Sequence, residues 1–393
     1  MLMAEGGFNL RKWKANSQDL QRAITESEGE TKSISAPVQK VNKQDNESHV
    51  KSNTQNDDIF MKVLGMNWNS NSDEIIFSFS ALSKYASSLL LTKRLILKVT
   101  ANIYDRMGFL SPLVVEMKIL FQELCINKTN WDAELNEELL EQWKSILQDM
   151  SLIDCYRILR YFVRHPVNVQ LHGFSDTSER AYATVVYVRS TYNDGQFEVR
   201  LVVSKTRVAP IKRQTIPCLE LLGALILACL ANKLKSLGTE IPIVLWTDSM
   251  TTLCWIKNEG IWKQYVGQQV NEIRCLTAKE SWRHCPGEVD SADIHSRGLT
   301  AKELSTSEIW WNGPRFLHQP DNQWSEMTQP VETENKEILR EASKNEPVIT
   351  HSMVNTSPSH QGIDRIIDIE HYNNIVWFQK ISIPPPRMVN GNS

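Results

Sequence analysis

The sequence predicts an α/β fold in which a mixed five-stranded sheet with helices on both faces follows a mainly helical module. Apolar side chains recur at helical spacing between residues 92 and 150, whereas after Tyr161 they alternate with polar ones, as in strands. Three antiparallel strands are expected first, and helices and short strands alternate after them. This order of elements is typical of a sheet covered by helices.

The N-terminal half divides into a linker and a helical module. Residues 27–58 contain few large apolar side chains and many polar and charged ones, so we expect a disordered linker. Turn-prone residues between two β-rich stretches predict a hairpin within 63–79. Apolar spacing predicts helices at 92–105, 112–124 and 135–150.

Five strands and four helical segments are predicted in the region that follows. The strands are 167–176, 182–188, 197–203, 243–247 and 281–284, and the helices are 217–235, 249–256, 265–277 and a turn near Ala292. Asn193-Asp194-Gly195 is a strong hairpin signal between the second and third strands. The apolar run 243–247 predicts a buried strand.

The composition excludes several classes of protein. A net charge of -3 gives no general attraction for nucleic acid, so any such contact requires a local basic patch. The seven cysteines form no CxxC pair and no zinc-type cluster, which predicts reduced thiols. No apolar stretch is long and uninterrupted enough to span a membrane, and no signal pattern is present, so we expect a soluble intracellular protein without membrane contact.

Four carboxylates fall at the ends of predicted elements. They are Asp176 after the first strand, Glu220 in the first turn of the long helix, Asp248 at the end of the buried strand and Asp293 near the last helix. Gathered carboxylates repel one another unless divalent cations neutralise them, and Mg²⁺ prefers oxygen ligands. Two such ions about 3.5 to 4 Å apart promote hydrolysis of a phosphodiester. The four acids are therefore a candidate two-metal site.

Each acid also has a structural explanation that the pattern leaves open. Asp176 could cap a turn, and Glu220 in a first helical turn is favoured by the helix dipole. Asp248 could be the N-cap of the next helix, and Asp293 could be a solvated surface acid.

Basic, histidine and tryptophan side chains near these acids have two interpretations as well. Between the third strand and the long helix, four basic residues could contact phosphates or form a solvated loop: Lys205, Arg207, Lys212 and Arg213. Two histidines could assist proton transfer, although a structural role is favoured: His284 and His295. Four tryptophans are more typical of a core than of base-stacking platforms: Trp246, Trp255, Trp262 and Trp282.

At these motifs the chain resembles the Pol polyprotein of BEL/Pao-type long-terminal-repeat retrotransposons. The motifs around the acids are GFSDTS (173–178), IPCLEL (216–221), LWTDS (245–249), HCPGE (284–288) and ADIHSRG (292–298). Earlier motifs are similar to the end of the reverse transcriptase region and to the connection region: GFNLRKW (7–13), LGMNW (64–68) and YDRMGFLSP (104–112). Together these blocks span about residues 5–318 in the order of one family.

The resemblance implies a ribonuclease H-like domain in which the four acids bind two Mg²⁺ ions, with Mn²⁺ as an alternative. It implies an endonuclease that cuts the RNA strand of RNA–DNA hybrids, other Pol and Gag products as partners, and a location in cytoplasmic virus-like particles or the nucleus. The expected regions are the end of the reverse transcriptase (1–26), the linker (27–58), a thumb or connection-like helical module (59–150), the ribonuclease H-like domain (151–318) and a mostly disordered tail with a connector remnant (319–393).

The sequence departs from the family pattern in three places. It has no Tyr-x-Asp-Asp motif, so DNA synthesis by this chain alone is not expected. The usual Asn-Pro before Ala-Asp is Asp290-Ser291, which is expected to loosen the turn that presents Asp293. No integrase motif follows Phe316. Two alternatives therefore stay open: a catalytically inactive nucleic-acid-binding or assembly fragment, and an unstable relic.

Overall fold

The computed structural model describes residues 66–160, 166–235, 241–287 and 290–324, together with residues 22, 60–63 and 341–342. The expected linker at 27–58 lies outside the described residues. Nearly all of the expected segment 1–26, and nearly all of the tail beyond residue 324, lie outside them as well.

The N-terminal module contains a small antiparallel sheet that the helical periodicity did not predict. Its strands are β1 (Phe60–Val63), β2 (Met66–Asn69), β3 (Glu74–Ile76) and β4 (Arg157–Leu159), paired in that order. β2 and β3 form the predicted hairpin. β4 lies after residue 150, where the N-terminal module was expected to end. Because β4 pairs with β3, it belongs to the sheet of that module. Strands of three or four residues are too short to give a clear periodic pattern.

Four helices complete this module, and their ends follow local capping. They are α1 (Ser80–Ser87), α2 (Lys93–Ala101), α3 (Ser111–Ile126) and α4 (Glu137–Ser151). Thr92 accepts a hydrogen bond from the Leu95 N–H at the start of α2, and Asn136 caps α4 in the same way. α2 ends four residues before its predicted end, and there the Asn102 side chain donates to the Lys98 carbonyl.

The main sheet has the five strands that the sequence predicts. They are β5 (Asn168–Thr177), β6 (Ala181–Thr191), β7 (Phe197–Val208), β8 (Ile243–Thr247) and β9 (Trp282–His284), in the spatial order β7-β6-β5-β8-β9. β5, β6 and β7 are antiparallel, while β8 is parallel to β5 and β9 is parallel to β8. Gly195 has φ +79° in the predicted hairpin turn, a conformation that favours glycine.

Helices cover both faces of this sheet. They are α5 (Ile216–Lys235), α6 (Met250–Lys257), α7 (Gln264–Leu276), α8 (Asp293–Arg297), α9 (Ala301–Thr306) and α10 (Glu308–Asn312). Gly173 on β5 faces Leu227 of α5, whereas the next residue, Phe174, packs against Phe316 on the opposite face. In the described part of the chain, α5 alone is long and apolar enough to span a membrane by length and composition. Leu227 is fully buried against the sheet, as in a core helix.

A segment after α10 continues the folded domain beyond its expected end at residue 318. Arg189 on β6 is almost fully buried and donates to the Leu317 and Gln319 carbonyls, each at 2.7 Å. The Trp324 ring packs edge-on against Trp246 of the sheet. We call residues 315–324 the C-terminal strap.

The YDRMGFLSP stretch (104–112) packs the N-terminal module against β7. The Ser204 N–H on β7 donates to the Met107 carbonyl at 2.8 Å, and Gly108 adopts φ +75° against Ser204. Asp105 accepts hydrogen bonds from the backbone of Phe109 and Leu110, and burial raises its pKa to about 6. One continuous apolar core joins the module and the main sheet.

Candidate active site

Two of the four predicted acids lie side by side because of the strand register. Ser175 on β5 pairs with Thr247 on the parallel strand β8, so Asp176 and Asp248 both follow this pair at the same edge of the sheet. Neighbouring strands lie about 4.8 Å apart. The carboxyl ends of two parallel strands therefore present two acids together.

Asp176 is a buried carboxylate with an unfavourable charge. It is 8% exposed, and its Oδ2 accepts a hydrogen bond from the Ser296 hydroxyl at 2.8 Å. Burial raises the pKa of Asp176 to about 6; Asp248 and, more weakly, Asp293 add to the shift, and the bond from Ser296 opposes it. The turn after β5 is capped by Ser178, which accepts from the Ala181 N–H. Ser178 therefore caps this turn, and capping does not explain the presence of Asp176.

Asp248 carries a carboxylate oxygen without a hydrogen-bond partner. Its Oδ1 is buried, and none of the described residues donates to it. Burial raises the pKa of Asp248, Asp293 raises it further and His284 opposes the shift. The N-cap of α6 is Ser249, whose hydroxyl accepts from the Thr252 N–H at 3.0 Å, so capping does not explain Asp248.

Glu220 lies in the second turn of α5, and its expected place in the first turn was wrong. The helix already begins at Ile216, because the Leu219 N–H bonds to the Thr215 carbonyl. The dipole effect falls off within the first turn and does not account for an acid at this position. Ser249 donates to Glu220 Oε2 at 2.5 Å, which ties Glu220 to the residue next to Asp248.

Asp293 opens the short helix α8 and is partly exposed. Its side chain is 37% exposed, and its Oδ1 lies 2.5 Å from Nε of Arg297. Its charge nevertheless raises the pKa values of Asp176 and Asp248. Asp293 therefore belongs to the same electrostatic cluster while it pairs with a surface arginine.

A fifth acid, Asp290, lies in this cluster and was given no role by the sequence analysis. It is 2% exposed, and burial raises its pKa well above the usual range, with further increases from Asp176 and Asp248. Its Oδ1 accepts from the Ala292 N–H at 2.8 Å. The sequence predicted a loosened turn here, and in the structure the Asp290 carboxylate closes this turn with that hydrogen bond. No local pattern indicates that an acid at this position is buried.

The acids suit a divalent cation chemically, although their side chains are not gathered around one point. Among the residues that the structure describes, no three His, Cys, Asp or Glu side chains lie close enough together to hold a metal ion as they stand. The donors are all carboxylate oxygens, which Mg²⁺ prefers. The unpartnered Oδ1 of Asp248 is the kind of buried atom that a cation would satisfy.

The sequence suggested that the four basic residues share one loop, but in the structure they do not. Lys205 and Arg207 lie on β7 and are partly buried, whereas Lys212 and Arg213 are exposed between β7 and α5. Burial raises the pKa of Cys229 on α5, and the charges of Lys205 and Arg207 oppose this shift, so both cations lie near that helix.

The interpretation of the tryptophans as core residues is confirmed for Trp246, Trp255 and Trp282, which are fully buried. His284 on β9 lies with Nε2 at 3.2 Å from the Asp248 carbonyl oxygen. The side chain of His295 lies outside the described residues.

Comparisons with known proteins give one family match. A family model described as Pao retrotransposon-like RNaseH-like domain matches residues 92–249. No curated protein gives a match.

Three solved structures show partial likeness. RNase H1 from the halophilic archaeon Halobacterium salinarum NRC-1 is 15% identical, with a TM-score of 0.22 over 36% of this chain and 99% of that protein. A foamy viral protease-reverse transcriptase, solved in complex with an RNA/DNA hybrid, is 10% identical, with a TM-score of 0.36 over 58% of this chain and 29% of that one. The N-terminal RNase H domain of a Mycobacterium tuberculosis protein, solved as a fusion with maltose-binding protein, is 13% identical, with a TM-score of 0.23 over 33% and 91%.

All three TM-scores lie below 0.5. The likeness to a family of RNaseH-like domains therefore depends on the match to the family model. Residues 92–249 are similar to the Pao retrotransposon-like RNaseH-like domain family.

Proposed function

We propose that this chain is a divalent-metal-dependent nuclease that cuts the RNA strand of RNA–DNA hybrids. The observation that carries the proposal is the juxtaposition of Asp176 and Asp248 at the ends of neighbouring parallel strands, with Asp293 close enough to raise the pKa of both. The substrate class follows from the RNaseH-like family.

The electrostatics of the cluster favour a bound cation. Burial and mutual repulsion raise the pKa values of Asp176, Asp248 and Asp290, so the site is costly to ionise without a counter-charge. Cations held between these carboxylates would remove that cost.

The residues that would hold Mg²⁺ are Asp176, Glu220, Asp248 and Asp293. Two bound ions would supply an activated water and stabilise the leaving oxygen of the phosphodiester. The chain itself orients two of these acids, since Ser296 and Ser249 donate to one carboxylate oxygen of Asp176 and Glu220 respectively. Asp293 would exchange its pairing with Arg297 for the cation, because an exposed ion pair is weak.

Exposed cations beside α5 would position the substrate. Lys212 and Arg213 lie in the exposed segment that leads into the helix carrying Glu220. Contacts with phosphates hold nucleic acid without reading its sequence, and they weaken as salt rises. We therefore expect binding of the hybrid to be insensitive to sequence and sensitive to ionic strength.

The test is cleavage of a labelled RNA–DNA hybrid by the purified full chain in Mg²⁺ or Mn²⁺. We expect cleavage by the natural sequence and none by Asp248→Asn, which keeps the size of the side chain and removes the charge. Asp194→Asn, on the exposed turn between β6 and β7, is the matched control and should cleave normally. Undiminished cleavage by Asp248→Asn would refute the site.

A second candidate function is hybrid binding without catalysis. It is favoured by the pairing of Asp293 with Arg297 and by the lack of three gathered ligands among the described residues. Salt-dependent binding of the hybrid with no cleavage in either metal would support this function. Cleavage that depends on Asp248 would exclude it.

A further inference from the structure

We infer that Asp290 is a positioning residue that fixes the spacing of Asp248 and Asp293 for metal binding, an inference that rests on the proposed nuclease function. Asp290 lies between β9 and α8 and is almost fully buried. A side chain with so little exposed surface acts on its protein neighbours.

On one side, Asp290 fixes the start of the helix that carries Asp293. Its Oδ1 accepts from the Ala292 N–H at 2.8 Å, and its carbonyl accepts from the Asp293 N–H at 3.2 Å. The first N–H groups of a helix have no acceptor within the helix. Asp290 supplies acceptors for two N–H groups at the start of α8. These bonds fix where the helix begins and therefore where Asp293 lies.

On the other side, Asp290 is linked to the strand that carries Asp248. The Cys285 thiol donates to Asp290 Oδ2 at 3.5 Å, and the Cys285 N–H donates to the Thr247 carbonyl at 3.0 Å. Thr247 is the last residue of β8 and immediately precedes Asp248. One carboxyl group therefore connects the backbone next to Asp248 with the turn before Asp293.

This role requires an acceptor at the Oδ1 position. Asparagine keeps the Oδ1 acceptor at the same reach, and its amide NH2 can donate to the Cys285 sulfur in place of the bond from the thiol to Oδ2. Serine offers a shorter acceptor and alanine offers none. Side chains that orient metal ligands from behind typically cost about 10- to 100-fold in metal affinity when removed. The variants should therefore rank asparagine, serine, alanine in how well they preserve the site.

The experiment compares Asp290→Asn, Asp290→Ser and Asp290→Ala in the full chain. Asp194→Ala is the matched control, because Asp194 Oδ1 accepts from the Gln196 N–H at 3.0 Å with the same two-residue spacing, in a distant exposed turn. Two quantities are measured: hydrogen exchange of the amides of residues 292 and 293 without metal, and the Mn²⁺ concentration that gives half-maximal binding.

We expect Asp290→Ala to raise exchange at the Ala292 amide about tenfold, as loss of one hydrogen bond implies, with a smaller rise at Asp293, whose amide bonds to the Asp290 backbone carbonyl. We also expect it to weaken Mn²⁺ binding by about 10-fold or more. Asp290→Asn should restore both quantities nearly to those of the natural chain, and Asp194→Ala should change neither. The inference is overturned if Asp290→Ala matches the natural chain or if Asp290→Asn is as impaired as alanine. If Asp290→Ala does not fold, the comparison of Asp290→Asn with Asp290→Ser decides. Amide exchange and Mn²⁺ binding closer to those of the natural chain in Asp290→Asn support the inference, and equal values in the two variants overturn it.

The two proposals fail in different ways. Exchange at residues 292 and 293 needs neither metal nor substrate, so it reports on Asp290 even in a chain that cuts nothing. A chain that binds Mn²⁺ through an Asp290-dependent turn without cutting hybrids would refute the nuclease and retain the positioning role. Normal cutting by Asp290→Ala would retain the nuclease and refute the positioning role of Asp290.

Discussion

Replacing Asp176 by asparagine should stabilise the metal-free protein while it abolishes cleavage. Asp176 is buried beside Asp248 and Asp293, and this environment raises its pKa from 3.8 to about 6. Asparagine keeps an acceptor for the Ser296 hydroxyl and removes the charge. Stability and function are therefore opposed at this position, as at many active sites.

The magnitude follows from the shift in pKa. A raised pKa means that the folded state holds the proton more tightly than the unfolded chain, so the free energy of unfolding falls as pH rises from about 4 to about 6. A difference of about 2 pKa units corresponds to about 3 kcal/mol of lost stability above pH 6. If asparagine loses one of the hydrogen bonds that Asp176 makes, the free energy of unfolding falls by about 1 kcal/mol. We expect a net gain of about 2 kcal/mol for Asp176→Asn at pH 8.

The assay is urea denaturation of both proteins in EDTA at pH 4 and pH 8. The gain should be present at pH 8 and absent at pH 4, where Asp176 is protonated. Mg²⁺ should then stabilise the natural chain more than the variant, because a ligand stabilises the state that binds it. A variant that is less stable than the natural chain at pH 8, or a gain that does not depend on pH, would refute the electrostatic argument.

Three further substitutions test other parts of the structure. Ser249→Ala removes the N-cap of α6 and the contact with Glu220, so it should lower the free energy of unfolding by about 1 kcal/mol and reduce the cleavage rate; a full rate would contradict it. Gly108→Ala places a Cβ against the Ser204 carbonyl at φ +75°, so thermal denaturation should show a loss of at least about 1 kcal/mol. Arg189→Met leaves the carbonyls of the C-terminal strap without donors, so hydrogen exchange in residues 315–324 should rise.

The main sheet could be predicted from the sequence because its signals are local. The alternation along β5, the β-rich runs of β6 and β7, the turn at Asn193-Asp194-Gly195 and the apolar run of β8 are each a dozen residues or fewer in length, and the structure contains all four strands and the turn. Of the small N-terminal sheet, the sequence predicted the β2–β3 hairpin only. β4 was missed because it pairs with β3 across about 80 residues, and strands of three residues carry no clear period.

The supporting contacts of the site could not be predicted, because each joins residues that are distant in sequence. Ser296 bonds to Asp176 across 120 positions, and Ser249 bonds to Glu220 across 29. The acids could be selected as candidates by chemistry, since carboxylates at the ends of neighbouring elements are the ligands that Mg²⁺ prefers. A hydroxyl has no such signature, because serine is also a common residue of exposed turns. What the fold adds to the predicted quartet is therefore a hydroxyl donor for Asp176 and another for Glu220, each from a residue that no local pattern connects with its acid.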